Sequence, residues 1–248
     1  MPHVFTVSPD FTPEHLSGWF IFNTWLQKAL GEAFHLQLYD DFHSQRDAIK
    51  SDRIDLIYAN PYDAAMLVRE KGFKPLVKPE GKADEAVIAV STERPYLQVE
   101  DLPCSIKLAT TEDPDVHMMG MIMLEPADLD AASVELKVCD SYVLVAKELL
   151  KGYCDAGVFL AEAFNDLSSV IRKQLRALVN SQIQVVHHAL MISPRLADHR
   201  DRLLGALLAM SENDKGKSAL AALKISRWER VDDEEMEFMI DLMDTFVT

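Results

Sequence analysis

The segment Arg53-Ile54-Asp55-Leu56-Ile57-Tyr58-Ala59-Asn60-Pro61-Tyr62-Asp63-Ala64-Ala65 runs an apolar stretch straight into a helical pattern across a single polar residue. Ile54 to Ala59 is long enough for a buried parallel strand. Pro61 has the fixed φ and the missing N–H that suit a first helical turn. A strand that passes so directly into a helix constrains the chain to an α/β arrangement. In open α/β folds, ligands sit at the carboxyl ends of such strands.

The same alternation runs along most of the chain and predicts α/β architecture with parallel sheets. Strands are expected at Val4–Ser8, His35–Tyr39, Ile54–Ala59, Pro75–Lys78 and Ala86–Ser91, with helices at Pro13–Ala33, Ser44–Lys50 and Pro61–Glu70. Trp19, Phe22, Trp25 and Leu26 form the expected core face of the first helix. The second half repeats the rhythm with strands Ser105–Thr110, Val134–Cys139 and Ala156–Leu160. Helices are expected there at Val116–Leu124, Ser141–Lys151 and Glu162–Ala177, and a last strand at Gln182–Val186. Helical sequence dominates from Arg200. Two strand-rich crossings, near 86–92 and 182–192, suggest a two-lobe clam shell able to close by hinge motion. Lobe 1 would be residues 1–88 plus 190–248, and lobe 2 residues 89–189.

A net charge of −15, from 40 acidic and 25 basic residues, argues against nucleic acid or an anionic membrane surface as partner. No window approaches the roughly 20 apolar residues of a membrane span, so no membrane insertion is expected. The three cysteines, Cys104, Cys139 and Cys154, are odd in number and lack C-x-x-C spacing, which fits structural thiols. Gly216-Lys217-Ser218 ends like a phosphate-binding loop, but Ser211 stands where the upstream glycine is required and no strand precedes it. His187-His188 is not an H-E-x-x-H motif, and no G-x-S-x-G elbow occurs. No catalytic constellation emerges, and neither an enzyme nor a cofactor is expected. The opening residues are a strand with neither a basic nor an apolar leader region. As written the chain is therefore expected to be cytoplasmic, or periplasmic if a leader has been removed.

Residues 53–65 resemble an element of the phosphate/phosphite/phosphonate-binding family of ABC importers. Val99-Glu100-Asp101-Leu102 resembles that family's "s-l-x-D-L" motif at the start of the second lobe. The stretch Val145-Ala146-Lys147-Glu148-Leu149-Leu150-Lys151-Gly152-Tyr153-Cys154-Asp155-Ala156 resembles its "a-V-x-x-G-x-x-D-a". The resemblance runs from Phe5 to about Leu196. It implies a type II periplasmic-binding-protein fold, in which each lobe is a mixed sheet flanked by helices and two crossing segments join the lobes. It also implies a non-enzymatic solute-binding protein, expected as a monomer, with an ABC permease as partner. The alternative is a cytosolic sensor or adaptor that uses the same fold to bind a signalling protein or a metal ion.

In the family, an oxyanion lies at the N-terminus of the second lobe's first helix. The matching segment here is Asp113-Pro114-Asp115-Val116-His117-Met118-Met119-Gly120. The family's Ser-Thr-Ser hydroxyls are replaced by Val, His and Met ahead of the retained glycine. Asp115 would oppose an anionic ligand there, or serve simply as an N-cap. Carried over residue by residue, a family aromatic falls on Phe42 and a tyrosine on Asp84 or Glu85. A histidine falls on Ser141 or Tyr142, and an aspartate falls near His187. Only Glu162 is retained. The expected ligand set is Phe42, Tyr58, Asn60, Asp84, Glu85, Asp115, His117, Tyr142, Glu162 and His187. Its acids, histidines and aromatics suit a cationic or zwitterionic small molecule. His117, His187 and Glu162 could alternatively hold a transition metal. Met118, Met119, Met121 and Met123 share a helix, point in several directions and read as flexible core filler.

Overall fold

A computed structural model describes residues 2–10 and 15–245 of the chain. It forms two compact units, one from Met1–Lys82 and His187–Thr248, the other from Ala83–Val186.

The first unit is built on a six-stranded sheet. Its strands are β1 (His3–Val7), β2 (Phe34–Leu36), β3 (Leu56–Ala59), β4 (Lys74–Pro79), β10 (Ala189–Ile192) and β11 (Trp228–Arg230), in the order β11-β4-β10-β3-β1-β2. β1 pairs parallel with both β2 and β3, whereas β10 runs antiparallel to β3 and β4. Its helices are α1 (Leu16–Leu30), α2 (Phe42–Lys50), α3 (Pro61–Lys71), α8 (Arg200–Leu208), α9 (Asp214–Ala222) and α10 (Asp233–Thr245). Trp19, Phe22, Leu26 and Leu30 recur at helical spacing on α1 and are buried against Phe5, Leu56 and Trp228. Gly18 lets α1 approach α9, because a Cβ there would stand 2.3 Å from the Ala222 carbonyl oxygen. The predicted start of α1 at Pro13 lies outside the described residues.

The second unit holds a five-stranded sheet of β5 (Ala86–Ser91), β6 (Ile106–Thr110), β7 (Val134–Val138), β8 (Ala156–Leu160) and β9 (Leu175–Asn180). Their order is β7-β6-β8-β5-β9. β6 pairs parallel with β7 and β8, and β5 runs antiparallel to β8 and β9. The helices are α4 (Pro114–Leu124), α5 (Tyr142–Leu150), α6 (Ala161–Asp166) and α7 (Ser169–Arg172). Gly120 seats α4 on the sheet, since a Cβ would come within 2.7 Å of Val158.

Both sheets are mixed, as the family resemblance implied, whereas the strand–helix alternation alone pointed only to their parallel pairs. The expected helix Glu162–Ala177 is corrected. It stops at Asp166, restarts at Ser169 behind an N-cap in which Ser168 Oγ accepts from Ile171 N, and is followed by β9. Pairing with β5 overrides the local helical preference of Leu175–Asn180. Residues 182–186, expected as a strand, have no regular structure, and Gln184 has a left-handed φ of 61° that interrupts any extended run. The strand β11 within the helical C-terminal region was not foreseen.

Candidate functional site

At the carboxyl ends of β1 and β3, the first unit gathers a polar network. The Ser8 amide donates to the Tyr58 carbonyl at 2.8 Å. Asn60 is fully buried and caps α3: its Oδ1 accepts from Asp63 N at 2.7 Å. Its Nδ2 donates to Ser8 Oγ and to Asp63 Oδ2, each at 3.0 Å. Every polar atom of the Asn60 side chain is therefore engaged in holding strand ends to the helix.

Asp63 is 1% exposed and receives Arg46 Nε at 2.6 Å and Nη2 at 3.3 Å. Burial pushes its carboxyl pKa upward, and the Arg46 and Asn60 hydrogen bonds pull it partly back. The Arg46 guanidinium lies 5.3 Å from the centroid of the Phe42 ring and 5.0 Å from that of Tyr62. Phe42 is the first residue of α2 and is itself buried, so its ring supports the Arg46–Asp63 pair.

Tyr58 stacks on His188 with centroids 5.2 Å apart and planes at 22°, while Trp19 packs on it at 4.8 Å. His188 Nε2 is 3.0 Å from Asp10 Oδ2. The neighbouring His187 has a different environment. It is buried, with Nδ1 3.2 Å from the His188 carbonyl and Nε2 3.3 Å from Glu235, a carboxylate that also takes the Lys78 ammonium.

In the second unit, β6 ends at Thr110 and α4 begins at Pro114. Asp113 is the N-cap: its Oδ1 accepts from Asp115 N at 3.2 Å and from Val116 N at 3.3 Å. Its Oδ2 accepts the Tyr142 hydroxyl at 3.0 Å. The N-cap left open for Asp115 thus falls to Asp113, and Asp115 stands in the first turn, 2% exposed. His117 follows on the same turn with a buried Nδ1 that has no hydrogen-bond partner, and desolvation holds its pKa below the usual value. Tyr142 opens α5 behind the Ser141 cap.

Asp84 and Glu85 precede β5. The Asp84 amide donates to the Val186 carbonyl at 2.7 Å. Glu85 accepts from Ser181 Oγ, from Ile183 N at 3.1 Å and from Gln184 N at 2.8 Å, which fastens the irregular segment after β9. The Glu85 carbonyl accepts from Ala161 N at 2.7 Å, at the start of α6. Glu162 lies in the first turn of that helix, just past the end of β8, and is exposed.

The structure joins Tyr142 and Asp115 through Asp113. It joins Tyr58 and Asn60 through Ser8, and ties Glu85 to the start of the helix that carries Glu162. It gives Phe42, Asn60 and Glu85 engaged structural contacts. Sequence reasoning missed Asp10, Arg46, Asp63, Asp113 and His188. The pair Asp113-Pro114 after a strand is an N-cap signal that could have identified Asp113. Asp63, three residues after Asn60 at a helix start, was a similar clue. Among the described residues no three His, Cys, Asp or Glu side chains gather as a metal-holding group, and no helix is long and apolar enough to cross a membrane.

No curated protein matches the chain in sequence. Solved structures resemble it closely in fold. PhnD1 from Prochlorococcus marinus in complex with methylphosphonate has a TM-score of 0.84 at 12% identity, with 99% of this chain and 97% of that one covered. XAC2383 from Xanthomonas citri bound to ATP has a TM-score of 0.79 at 15% identity, with 99% of each chain covered. The periplasmic aliphatic sulphonate binding protein SsuA from Escherichia coli has a TM-score of 0.70 at 14% identity, covering 100% and 92%. These likenesses establish the type II periplasmic-binding-protein fold. The family described as "ABC transporter, phosphonate, periplasmic substrate-binding protein" matches residues 5–236, nearly the whole chain, and the protein belongs to that family.

Proposed function

We propose that this chain is a non-enzymatic solute-binding protein whose ligand is not a simple phosphonate. The observation that supports this most is the start of α4. A helix N-terminus attracts oxyanions through its free N–H groups and the positive end of its dipole. Here the Asp113 carboxylate accepts from the Asp115 and Val116 amides, and Asp115 adds a second buried acid in the same turn. The donors that would meet an oxyanion are already satisfied, and the local charge is negative and repels one.

Carboxylates, aromatic faces and histidines instead favour a ligand that carries a protonated amine. Tyr142 and Glu162, both in the second unit, are its proposed contacts. The family is periplasmic and serves ABC importers. We place this chain in the same compartment, with an ABC permease as its partner.

Thermal-shift screening tests the proposal with methylphosphonate, an alkanesulfonate, ATP and a panel of primary amines and zwitterions. We expect stabilisation by amine-bearing solutes and none by methylphosphonate. A methylphosphonate response saturating well below the micromolar range would overturn it.

A further inference from the structure

β7 is an edge strand of the second unit's sheet, paired only with β6. Its five residues read Val134-Glu135-Leu136-Lys137-Val138, which is symmetric in character about Leu136. The Ser133 carbonyl accepts from Ile106 N, and Cys139 N donates to the Thr110 carbonyl. Backbone groups alternate sides along a strand, so the odd-numbered residues of β7 face β6. Val134, Leu136 and Val138 therefore present their N–H and C=O groups on the open edge. Their side chains share one face of the sheet. Val134 joins the core there, while Leu136 and Val138 are 44% and 51% exposed. Natural edge strands are usually blunted by bulges, prolines, charged side chains or a covering element, and the two charges on β7, Glu135 and Lys137, are of opposite sign. β7 is regular, contains no proline and carries two exposed apolar side chains.

We propose that β7 pairs antiparallel with β7 of a second copy of this chain, making a two-fold dimer that joins the two five-stranded sheets into one. Centring the axis on Leu136 sets Val134 against the partner's Val138, Leu136 against its own copy, and Glu135 against the partner's Lys137. All three open-edge residues of each strand then become hydrogen-bonded, and Glu135 and Lys137 fall in the close, non-hydrogen-bonded pairs. Lys107 Nζ already donates to Glu135 at 2.6 Å from the opposing position on β6. The dimer extends that pair into a ladder of alternating charge: Lys107, Glu135, then the partner's Lys137. Lys137 makes no ion pair within its own chain among the described residues. A two-fold interface requires a self-complementary patch, and the symmetry of this strand supplies one. The pairing departs from the monomer expected from sequence.

Sedimentation equilibrium of the full chain tests the pairing. The wild type should dimerise reversibly with rising concentration. Lys137→Glu puts two carboxylates face to face at both ends of the seam and should weaken association at least about tenfold. The triple variant Lys107→Glu/Glu135→Lys/Lys137→Glu reverses the whole ladder and should restore association to within about threefold of wild type. Leu136→Pro removes an N–H that points off the edge together with one exposed apolar side chain, so it should leave the circular dichroism spectrum nearly unchanged and abolish the dimer. A wild type that stays monomeric up to about 1 mM, or a dimer indifferent to Lys137→Glu and Leu136→Pro, overturns the proposal. Association that is lost in Lys137→Glu and not recovered by the charge reversal also overturns it.

Discussion

The Tyr142 hydroxyl donates to Asp113 Oδ2 at 3.0 Å, and the other oxygen of that carboxylate caps the first turn of α4. One acid thus links the starts of two helices that follow neighbouring strands of the second unit. The aspartate occupies amide donors at the start of α4.

Restoring the oxyanion donors should be possible by substitution. Asp113→Ser keeps an N-cap oxygen and removes the charge, and Asp115→Ser removes the second acid. Each charge-assisted hydrogen bond regained is worth roughly 1.5–3 kcal/mol. The wild type should bind methylphosphonate no tighter than about micromolar, and the double variant should bind it at least about tenfold tighter. Isothermal titration calorimetry reads both. Unchanged affinity in the double variant would show that this turn does not meet the ligand.

Asn60 stood out in sequence because it follows an apolar strand and precedes Pro61, and the structure shows why that position needs it. Its amide caps α3 and also holds Ser8 and Asp63. Asn60→Ala loses the cap, worth about 1 kcal/mol, and leaves the buried Asp63 carboxylate short of a donor, a further cost of about 1–3 kcal/mol. Urea denaturation should show a loss of about 2–4 kcal/mol. A change below about half a kcal/mol would mean that water replaces the amide at no cost.

The parallel core of each unit was legible in the sequence because its signals are local. Apolar runs, an N-cap and a helix-starting proline each occupy a few adjacent residues, as at Ile54–Pro61. β9 was not legible, since Leu175–Asn180 becomes a strand only through its pairing with β5. The site was read less completely than the fold. Tyr58, Tyr142 and Glu162 carry visible chemistry at strand ends or helix starts. Arg46, by contrast, reaches Asp63 from 17 residues away, and Asp10 reaches His188 from 178 residues away. No local pattern encodes such contacts. Phe42 and Glu85 look like ligand residues in a list of cleft candidates, but their surroundings engage one as packing and the other as a clasp on residues 181–184.

His117 should give the protein a measurable acid sensitivity. Burial lowers its folded pKa below the usual 6.5. A histidine depressed in this way favours folding while both states are neutral, at pH above 6.5. As pH falls below that value, the unfolded chain takes up the proton first, and stability is lost down through the folded pKa. The drop in melting temperature between pH 7.5 and about 5.5 should therefore be smaller in His117→Gln than in wild type. Equal drops would show that the imidazole is solvated in the folded state.

Glu85 clasps Ser181, Ile183 and Gln184, and this gives the irregular segment its order. Glu85→Ala should increase hydrogen exchange at the Ile183 and Gln184 amides by at least about tenfold while leaving β5 protected. Protection at both amides equal to that of wild type would show that the clasp contributes nothing to the order of this segment.

Glu162 lies in the first turn of α6 just past the end of β8. A glutamate there has two possible roles, which the same substitution separates. As a contributor to helix stability through the dipole, Glu162→Gln would cost about 1 kcal/mol or less and leave any ligand response intact. As the acceptor for a ligand's protonated amine, it would leave the melting temperature of the free protein nearly unchanged. The ligand-induced shift would then be lost, because the bound cation would have no carboxylate partner. We expect the second pattern with the best amine found by thermal-shift screening. Glu162→Asp should recover part of the response, since it restores the charge one methylene short. Equal ligand-induced shifts in wild type and Glu162→Gln would remove Glu162 from the site and leave ligand recognition in the second unit to Tyr142 and its neighbours.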